Sequence, residues 1–491
     1  MSQESPTSNE FKTPEQILNY AKRLEGMTFR EVLDLGIAPE GVSHEYSSRS
    51  YKGGMGNLLE ERYFGYRANS DREADFPEAG VELKATCIDY RKDGTEAAGE
   101  RLVLTMIPYD EELPDSLYDS HLWDKCKQLL LVWYRRDKNI EKYDQTIEYV
   151  RLFTPPEDDL RVMETDYALI TGLIKDGRAD ELSESLTSYL AACTKGSNAE
   201  KSLRDQVLYS PGKAARSRAF SFKRPYMEYV LHHYILNEPE PERLSDKATE
   251  LSRQELVHYV TKMINAHIGK SDRELCQQLE ISYTGNKAQW TSIAYRLLGV
   301  RGNRAAEFDK AGIHVRTVRL EPDGNSLRES VPILNINFKD LLEEPDWEDS
   351  ELRNLLTEQS LLFVVFQKEG DEAILRGSFV WNMPIEDIDG PARECWERTR
   401  EVVASGVELT PRQGHDGKLI YQNNLPKISD GLDIHVRPRA TTAAYRFEDG
   451  TEIGNVERDA EELPDGRWMT RQAFWLNSDY VLEAIKNGLG K

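Results

Sequence analysis

The chain has 491 residues, 39% of them hydrophobic and 30% charged, which is too long for one ordinary core and asks for two or three globular domains. Its formal net charge of −23 excludes a protein that coats nucleic acid non-specifically, but not one that meets DNA through local charge. No apolar run reaches the roughly 18 residues that span a bilayer. The polar, acidic stretch Met1 to Thr13 is expected to be a frayed tail rather than a secretory signal, and five cysteines without a C-x-x-C pair fit a reducing cytoplasm rather than zinc or disulfides.

In chain order, residues 14–40 read as one or two helices, with Ile17, Leu18, Ala21 and Leu24 at helical spacing. Gly53-Gly54-Met55-Gly56 leads into a helix through Leu58, Leu59 and Glu60. Val81 to Ile88 alternates like a half-buried strand, and Leu102 to Ile107 is a second strand. His121 to Lys127 looks helical and runs into the apolar stretch Leu129 to Tyr134, a length that suits a buried strand. Residues 195–224 hold eight bases (Lys195, Lys201, Arg204, Lys213, Arg216, Arg218, Lys223, Arg224) against the acids Glu200 and Asp205. That is a local basic stretch in an acidic chain, with a solvated loop as the competing reading. Pro and Glu dominate Asn237 to Glu242 and mark a boundary, and 253–280 looks like an amphipathic helical bridge. The expected organisation is an N-terminal domain over 1–236, a linker and bridge over 237–280, and a C-terminal domain over 281–491.

Two segments recur in diverged form. Asp75-Phe-Pro-Glu-Ala-Gly-Val-Glu-Leu-Lys-Ala85 aligns with Glu307-Phe-Asp-Lys-Ala-Gly-Ile-His-Val-Arg-Thr317. Ala219-Phe-x-Phe-x-x-x-Tyr226 aligns with Ala473-Phe-x-Leu-x-x-x-Tyr480. The same order in both halves points to gene duplication and two copies of one fold.

Chemistry gathers at the first copy. In Val81-Glu82-Leu83-Lys84 side chains alternate, so Val81 and Leu83 face a core while Glu82 and Lys84 share the other face. Asp75 precedes them across a Pro-Glu-Ala-Gly turn that can bring it alongside. Two carboxylates suit magnesium, which takes oxygen ligands; such an ion neutralises phosphate oxygens and lowers the pKa of water. Lys84 could orient that water or stabilise charge on phosphorus. On the bare spacing, a surface strand face with a Glu–Lys pair competes with this reading. The second copy keeps Phe308, Ala311 and Gly312 but has Glu307, His314 and Arg316 where the first has Asp75, Glu82 and Lys84. That is the pattern of a duplicated, disabled nuclease; the competing reading is that neither copy was catalytic.

Lys52-Gly-Gly-Met-Gly-Asn-Leu-Leu-Glu60 followed by Asp75 to Lys84 resembles the mismatch-repair endonuclease MutH. Glu181 to Ala199, Arg218-Ala-Phe-Ser-Phe-Lys223, Trp347-Glu-Asp-Ser350, His435-Val-Arg-Pro438 and Trp468-Met-Thr470 look still more like the two-domain Sau-type restriction endonucleases, which cleave at GATC. The resemblance runs from about residue 45 to the C-terminus. It implies two tandem restriction-endonuclease-like (MutH-like) α/β domains, each a mixed sheet flanked by helices, the first cleaving and the second binding DNA. It implies Asp75 and Glu82 as metal ligands, Lys84 as the catalytic lysine, Glu60 on a helix near the metal and Lys125 as a supporting lysine. From the residues alone, Glu61 rivals Glu60 and Lys127 rivals Lys125. Thr194 and Lys195 match a DNA-reading loop, Ser221 and Lys223 a second reading segment, and Arg437 and Arg439 the corresponding loop of the second copy. A lysine there reaches either guanine or phosphate.

The expected function is a type II restriction endonuclease that hydrolyses double-stranded DNA at GATC with Mg2+. It would self-associate on DNA, with a cognate methyltransferase in the same system and no membrane partner. A strand-nicking repair endonuclease at GATC is the alternative, and a non-catalytic DNA-binding protein a third reading.

Overall fold

The structure is a computed structural model that describes residues 11–37, 54–67, 73–91, 93–196, 202–245, 251–327, 330–413 and 419–490. The tail before Phe11, the helix expected beyond Ile37, Lys52, Gly53, residues 197–199, Glu200 and Lys201 lie outside the described residues. The chain divides into two compact units. The first gathers the described residues of 1–195, 202–254 and 305–312; the second gathers those of 196–201, 255–304 and 313–491. The Pro- and Glu-rich stretch 237–242 falls inside the first unit. Both units mix α and β structure, and no helix of the described residues is long and apolar enough to cross a membrane.

In the first unit, the expected N-terminal helix is two short ones. α1 (Pro14–Ala21) starts on a Thr13–Gln16 capping box with Pro14 in its first turn, and α2 (Phe29–Asp34) starts on a Thr28–Glu31 box. Each box satisfies backbone donors that a helix start leaves open. α3 (Met55–Arg62) follows Gly54. Next come β1 (Glu82–Tyr90), β2 (Glu96–Ala98), β3 (Leu102–Met106), α4 (His121–Asp124), β4 (Leu129–Arg135) and β5 (Ile147–Phe153). The sheet order is β2-β1-β4-β5, with β1 parallel to β4 and the other pairs antiparallel. β4 sits between two partners and is buried from Leu129 to Trp133, which is why it reads as an unbroken apolar run. The helix expected over 121–127 is a single turn; Lys125 caps it, and the chain unwinds before β4.

The long helix α5 (Glu157–Lys175) leads to β6 (Leu190–Thr194), the hairpin β7 (Leu203–Gln206) and β8 (Ser210–Arg216), β9 (Arg218–Phe222) and α6 (Arg224–Tyr229). β3, β9 and β6 form an antiparallel sheet with β9 central. α7 (Arg253–Asn265) and α8 (Asp272–Gln278) stand where a helical bridge was expected, followed by α9 (Lys287–Leu297). α10 (Ala306–Ala311) packs on α6 in the first unit. There Lys310 Nζ lies 2.6 Å from Asp159 Oδ1, and Glu307 accepts the Leu244 N–H.

The second unit runs through β10 (Ile313–Leu320), β11 (Val331–Asn335), α11 (Phe338–Glu343), α12 (Glu351–Glu358), β12 (Ser360–Glu369) and β13 (Glu372–Trp381). After β14 (Thr410–Gln413) and β15 (Leu419–Gln422) come β16 (Ile434–Pro438), β17 (Tyr445–Arg446), β18 (Glu452–Ile453), β19 (Ala460–Glu462), β20 (Trp468–Thr470) and β21 (Gln472–Leu476). β10 pairs parallel with β12, and β12 antiparallel with β13. β11 and β16 flank β21, both antiparallel. Trp347, Phe363, Trp396 and Phe474 anchor the core of this unit.

Candidate active site

The site starts from a turn. Phe76 and Val81 exchange backbone hydrogen bonds of 2.9 and 3.3 Å, closing Pro77 to Gly80 into a tight loop. Gly80 takes φ +65°, a left-handed conformation that glycine adopts without the clash a Cβ would bring. The turn lays Asp75 against the start of β1. The Asp75 N–H donates to Glu82 Oε2 at 3.1 Å, and the Leu83 N–H donates to Asp75 Oδ2 at 2.9 Å. Val81 and Leu83 point into the core of the unit, which turns Glu82 and Lys84 to the opposite face.

On that face Lys84 Nζ donates to Glu82 Oε1 at 2.8 Å. Lys125 Nζ, just past α4, donates to Glu82 Oε2 at 3.1 Å and lies 4.0 Å from Asp75 Oδ1. Lys127 pairs instead with Asp124 at 2.6 Å. The structure therefore gathers Asp75, Glu82, Lys84 and Lys125 into one cluster and leaves Lys127 out of it. Glu60 on α3 is close enough to feel it. Burial, then the charge of Asp75, pushes the Glu60 carboxyl up to about 8, while Lys84 pulls it down. Burial and Glu82 push Asp75 up to about 6, against the pull of Lys84 and the Leu83 N–H. A buried carboxyl resists ionisation until a cation compensates it.

Tyr66 was not singled out in the sequence. Burial and the charges of Asp75, Glu60 and Glu82 raise its phenol well above the ordinary range. Its buried hydroxyl has no hydrogen-bond partner among the described residues, and its ring packs edge-on against Phe76 at 5.5 Å. A loop tyrosine carries no periodicity, so no sequence signal marks it.

The donor set suits magnesium. That ion binds through one or two carboxylates and completes its octahedron with waters and substrate phosphate oxygens. Asp75 and Glu82 supply two carboxylates; among the described residues no group of three or more His, Cys, Asp or Glu is placed to hold a metal ion, so waters and phosphate oxygens would complete the shell. The raised Asp75 and Glu60 carboxyls and the unpartnered Tyr66 hydroxyl are groups that a hydrated dication would satisfy.

The DNA-reading candidates are placed unequally. Thr194 and Lys195 stand half-buried at the end of β6, with the Lys195 N–H bonded to Ser217 O at 2.9 Å. Ser221 and Lys223 have no exposed surface. Lys223 Nζ donates to Thr187 O at 3.1 Å, so both side chains are packed inside the unit rather than on its surface. Burial follows because every residue of β9 is covered, with Phe220 packed on Tyr167 of α5 and Phe222 on Tyr226 of α6. The basic stretch shrinks in the same way. Arg218 Nη1 donates to Ala192 O at 2.5 Å and Arg224 Nε to Ala98 O at 2.8 Å. Arg204 and Lys213 remain exposed, and Lys213 pairs with Asp180 at 2.6 Å.

In the second unit, His314 and Arg316 lie on β10 opposite Leu361 and Phe363 of β12. In the first unit, Glu82 and Lys84 lie on β1 opposite Leu129 and Leu131 of β4. Gly312, at φ +66°, precedes β10 as Gly80 precedes Val81, but the preceding segment is the helix α10 rather than a turn. Arg437 is exposed on β16 with its guanidinium 5.5 Å from the Trp475 ring. Arg439 is exposed beyond that strand, and its Nη1 donates to Asn335 Oδ1 at 3.2 Å.

Comparison with known proteins agrees with this geometry. A family model described as DNA mismatch repair enzyme MutH matches residues 64–166, the span that holds Asp75, Glu82, Lys84 and Lys125. The type II restriction enzyme Sau3AI of Staphylococcus aureus is 32% identical, across 97% of this chain and 99% of its own. The DNA mismatch repair protein MutH of Escherichia coli (strain SMS-3-5 / SECEC) is 27% identical, across 48% of this chain and 99% of its own. MutH of Shigella boydii serotype 18 is 28% identical, across 41% of this chain and 83% of its own.

Proposed function

The chain belongs to the family of the type II restriction enzyme Sau3AI, site-specific endonucleases that act on DNA, and from that premise we propose that it cuts both strands of duplex DNA at GATC with Mg2+. The observation that carries this reading is the convergence of Asp75, Glu82, Lys84 and Lys125 at the start of β1. When bound, magnesium supplies Lewis-acid charge against the scissile phosphate and lowers the pKa of water.

The chain's own residues do the rest. Asp75 and Glu82 hold the ion, Asp75 fixed by the Leu83 N–H. Lys84 orients the attacking water and stabilises negative charge as it builds on phosphorus. Lys125 is a positioning residue that fixes the Glu82 carboxylate. Glu60 and Tyr66 close the site on the α3 side. Water attacks phosphorus, the P–O3′ bond breaks and the leaving oxygen takes a proton, which yields 5′-phosphate and 3′-hydroxyl ends.

We further propose that the chain is a tandem duplication, with the second copy binding DNA through Arg437 and Arg439 and the first through Thr194 and Lys195. The support is topological. The parallel pair β1–β4 has its counterpart in β10–β12, and the β-bulge of β4–β5 at Trp133/Tyr134 in that of β12–β13 at Val365/Phe366. The sheet β3-β9-β6 corresponds to β11-β21-β16, with bulges at Val103/Thr105 and Pro332/Leu334. One active centre per chain and two strands to cut imply that two chains meet on DNA. A methyltransferase that protects GATC would accompany the enzyme.

Digestion of unmethylated plasmid with Mg2+, beside Asp75→Ala and an EDTA control, followed by sequencing of the ends, tests the reading. Fragments ending at GATC and lost in both controls are expected. Nicked circles would favour the MutH-like alternative, and uncut plasmid from protein that binds a GATC duplex would leave binding alone.

A further inference from the structure

The second unit treats two of its buried arginines in opposite ways. Arg353 has no exposed surface and is neutralised, with Nε 2.9 Å from Asp389 Oδ1 and Nη2 3.3 Å from Glu348 Oε2. That is how a structural guanidinium is kept inside a protein. Arg316 is half-buried on β10, and its hydrogen bond runs from Nη1 to the carbonyl of its neighbour Val315 at 3.3 Å. No carboxylate among the described residues pairs with it.

Its surroundings add positive charge rather than removing it. Burial, and then the charge of Arg439, depresses the Arg316 pKa against the pull of Tyr295, and among the described residues neither Arg316 nor Arg439, whose Nη1 bonds the neutral Asn335 amide, forms an ion pair. His314, two residues back on the same face of β10, is held neutral by burial and by Arg316, down to about 4. On its other side Arg316 borders an apolar cleft lined by Leu356, Leu361, Trp381 and Met383. A low-dielectric wall strengthens the field of an uncompensated charge. Two guanidinium groups, each a planar fork of donors, match phosphate oxygens.

We propose that the second unit binds a DNA phosphate without metal, on the uncompensated guanidinium groups of Arg316 and Arg439. At the register positions of His314 and Arg316 the first unit presents Glu82 and Lys84, with the Asp75 carboxylate alongside, so its phosphate contact waits on a dication held by the two carboxylates. The second unit carries the positive charge in its own side chains, and its phosphate contact is indifferent to chelators. This rests on the reading of the C-terminal unit as DNA-binding.

The test is fluorescence anisotropy of a labelled GATC duplex with the full chain in EDTA across a salt series. Arg316→Gln, Arg316→Lys and the double variant Arg437→Ala/Arg439→Ala are each compared with the parent. Arg316→Gln is expected to weaken binding about tenfold and to flatten the salt slope by about one, while Arg316→Lys keeps the slope. Without DNA, Arg316→Gln is expected to melt at or above the parent's temperature, because an unpaired buried charge costs stability. Unchanged affinity in Arg316→Gln, with binding lost in the double variant, overturns the Arg316 site and leaves the C-terminal unit as a DNA-binding one. Unchanged affinity in both overturns the two readings together. A melting temperature clearly below the parent's marks Arg316 as a structural charge and also overturns the inference.

Discussion

At the start of β1, Glu82 and Lys84 meet Asp75 and Lys125; at the same register on β10 stand His314 and Arg316, and the acid that precedes them, Glu307, is turned away into α10. The difference lies in backbone as much as in side chains. In the first unit Pro77 sits third in the Asp-Phe-Pro-Glu-Ala-Gly segment, where a helix would need its N–H. In the recurring segment the Asp309 N–H at that place donates to Ala305 O at 3.0 Å inside a helical turn. A proline cannot make that bond, so Pro77 keeps the turn that delivers Asp75. Without it the segment coils into a helix, and Glu307 is used by the Leu244 N–H instead.

The comparison can be broken by exchange. Glu82→His with Lys84→Arg gives the first unit the second unit's pair, and plasmid cleavage is expected to fall by at least about a thousandfold. The reverse exchange, His314→Glu with Arg316→Lys, is expected to create no cleavage in an Asp75→Ala background, because Glu307 remains in α10. Cleavage by that protein would show that the turn is dispensable.

A smaller loss should follow when the support of Glu82 is removed. Lys125→Ala leaves both carboxylates in place but frees Glu82 Oε2, and a fall in rate of about 10–100-fold is expected, of the size seen when a partner behind a metal ligand is lost. Part of that loss should be recovered at raised Mg2+. Lys127→Ala, which removes only the pairing with Asp124, serves as the control.

The smallest effects concern pH, where the two sites act in opposite directions. Glu60 is raised from 4.5 to about 8 in the folded chain. Between those values the folded state holds more protons than the unfolded one, so this group lowers stability as pH rises from about 4.5 to 8. His314 is depressed from 6.5 to about 4. There the unfolded state holds more protons, so this group lowers stability as pH falls from about 6.5 to 4. Thermal melts in EDTA should therefore show Glu60→Gln gaining on the parent at pH 8, by on the order of 5 °C, and not at pH 4. His314→Leu should gain at pH 5 and not at pH 8. Parallel pH profiles for parent and variants would remove the contrast.

Local patterns carried much of the site. The alternation of Val81 to Lys84 and the glycine at the end of the Pro-Glu-Ala-Gly turn are near-neighbour features, and near neighbours decide strand face and turn geometry. The contrast between Glu60 and Glu61, and between Lys125 and Lys127, was open in the sequence because the members of each pair are like-charged side chains one or two positions apart. The burial of Ser221 and Lys223 was hidden for a related reason. Their strand reads as two-sided, and only the elements packed over it, α5 and α6 among them, show that it is covered throughout.

The sequence by itself determined the family, the mixed α/β class, the strand that bears Glu82 and Lys84, and the recurring segment with its altered residues. Those depend on residue identity, spacing and period, all written along the chain. Tertiary structure decided that Lys125 holds Glu82, that Tyr66 lies beside the carboxylates, that Lys223 is buried, and that Arg316 lies half-buried with no carboxylate partner among the described residues. These relations join residues tens of positions apart, and burial and charge compensation exist only once the chain has closed around them.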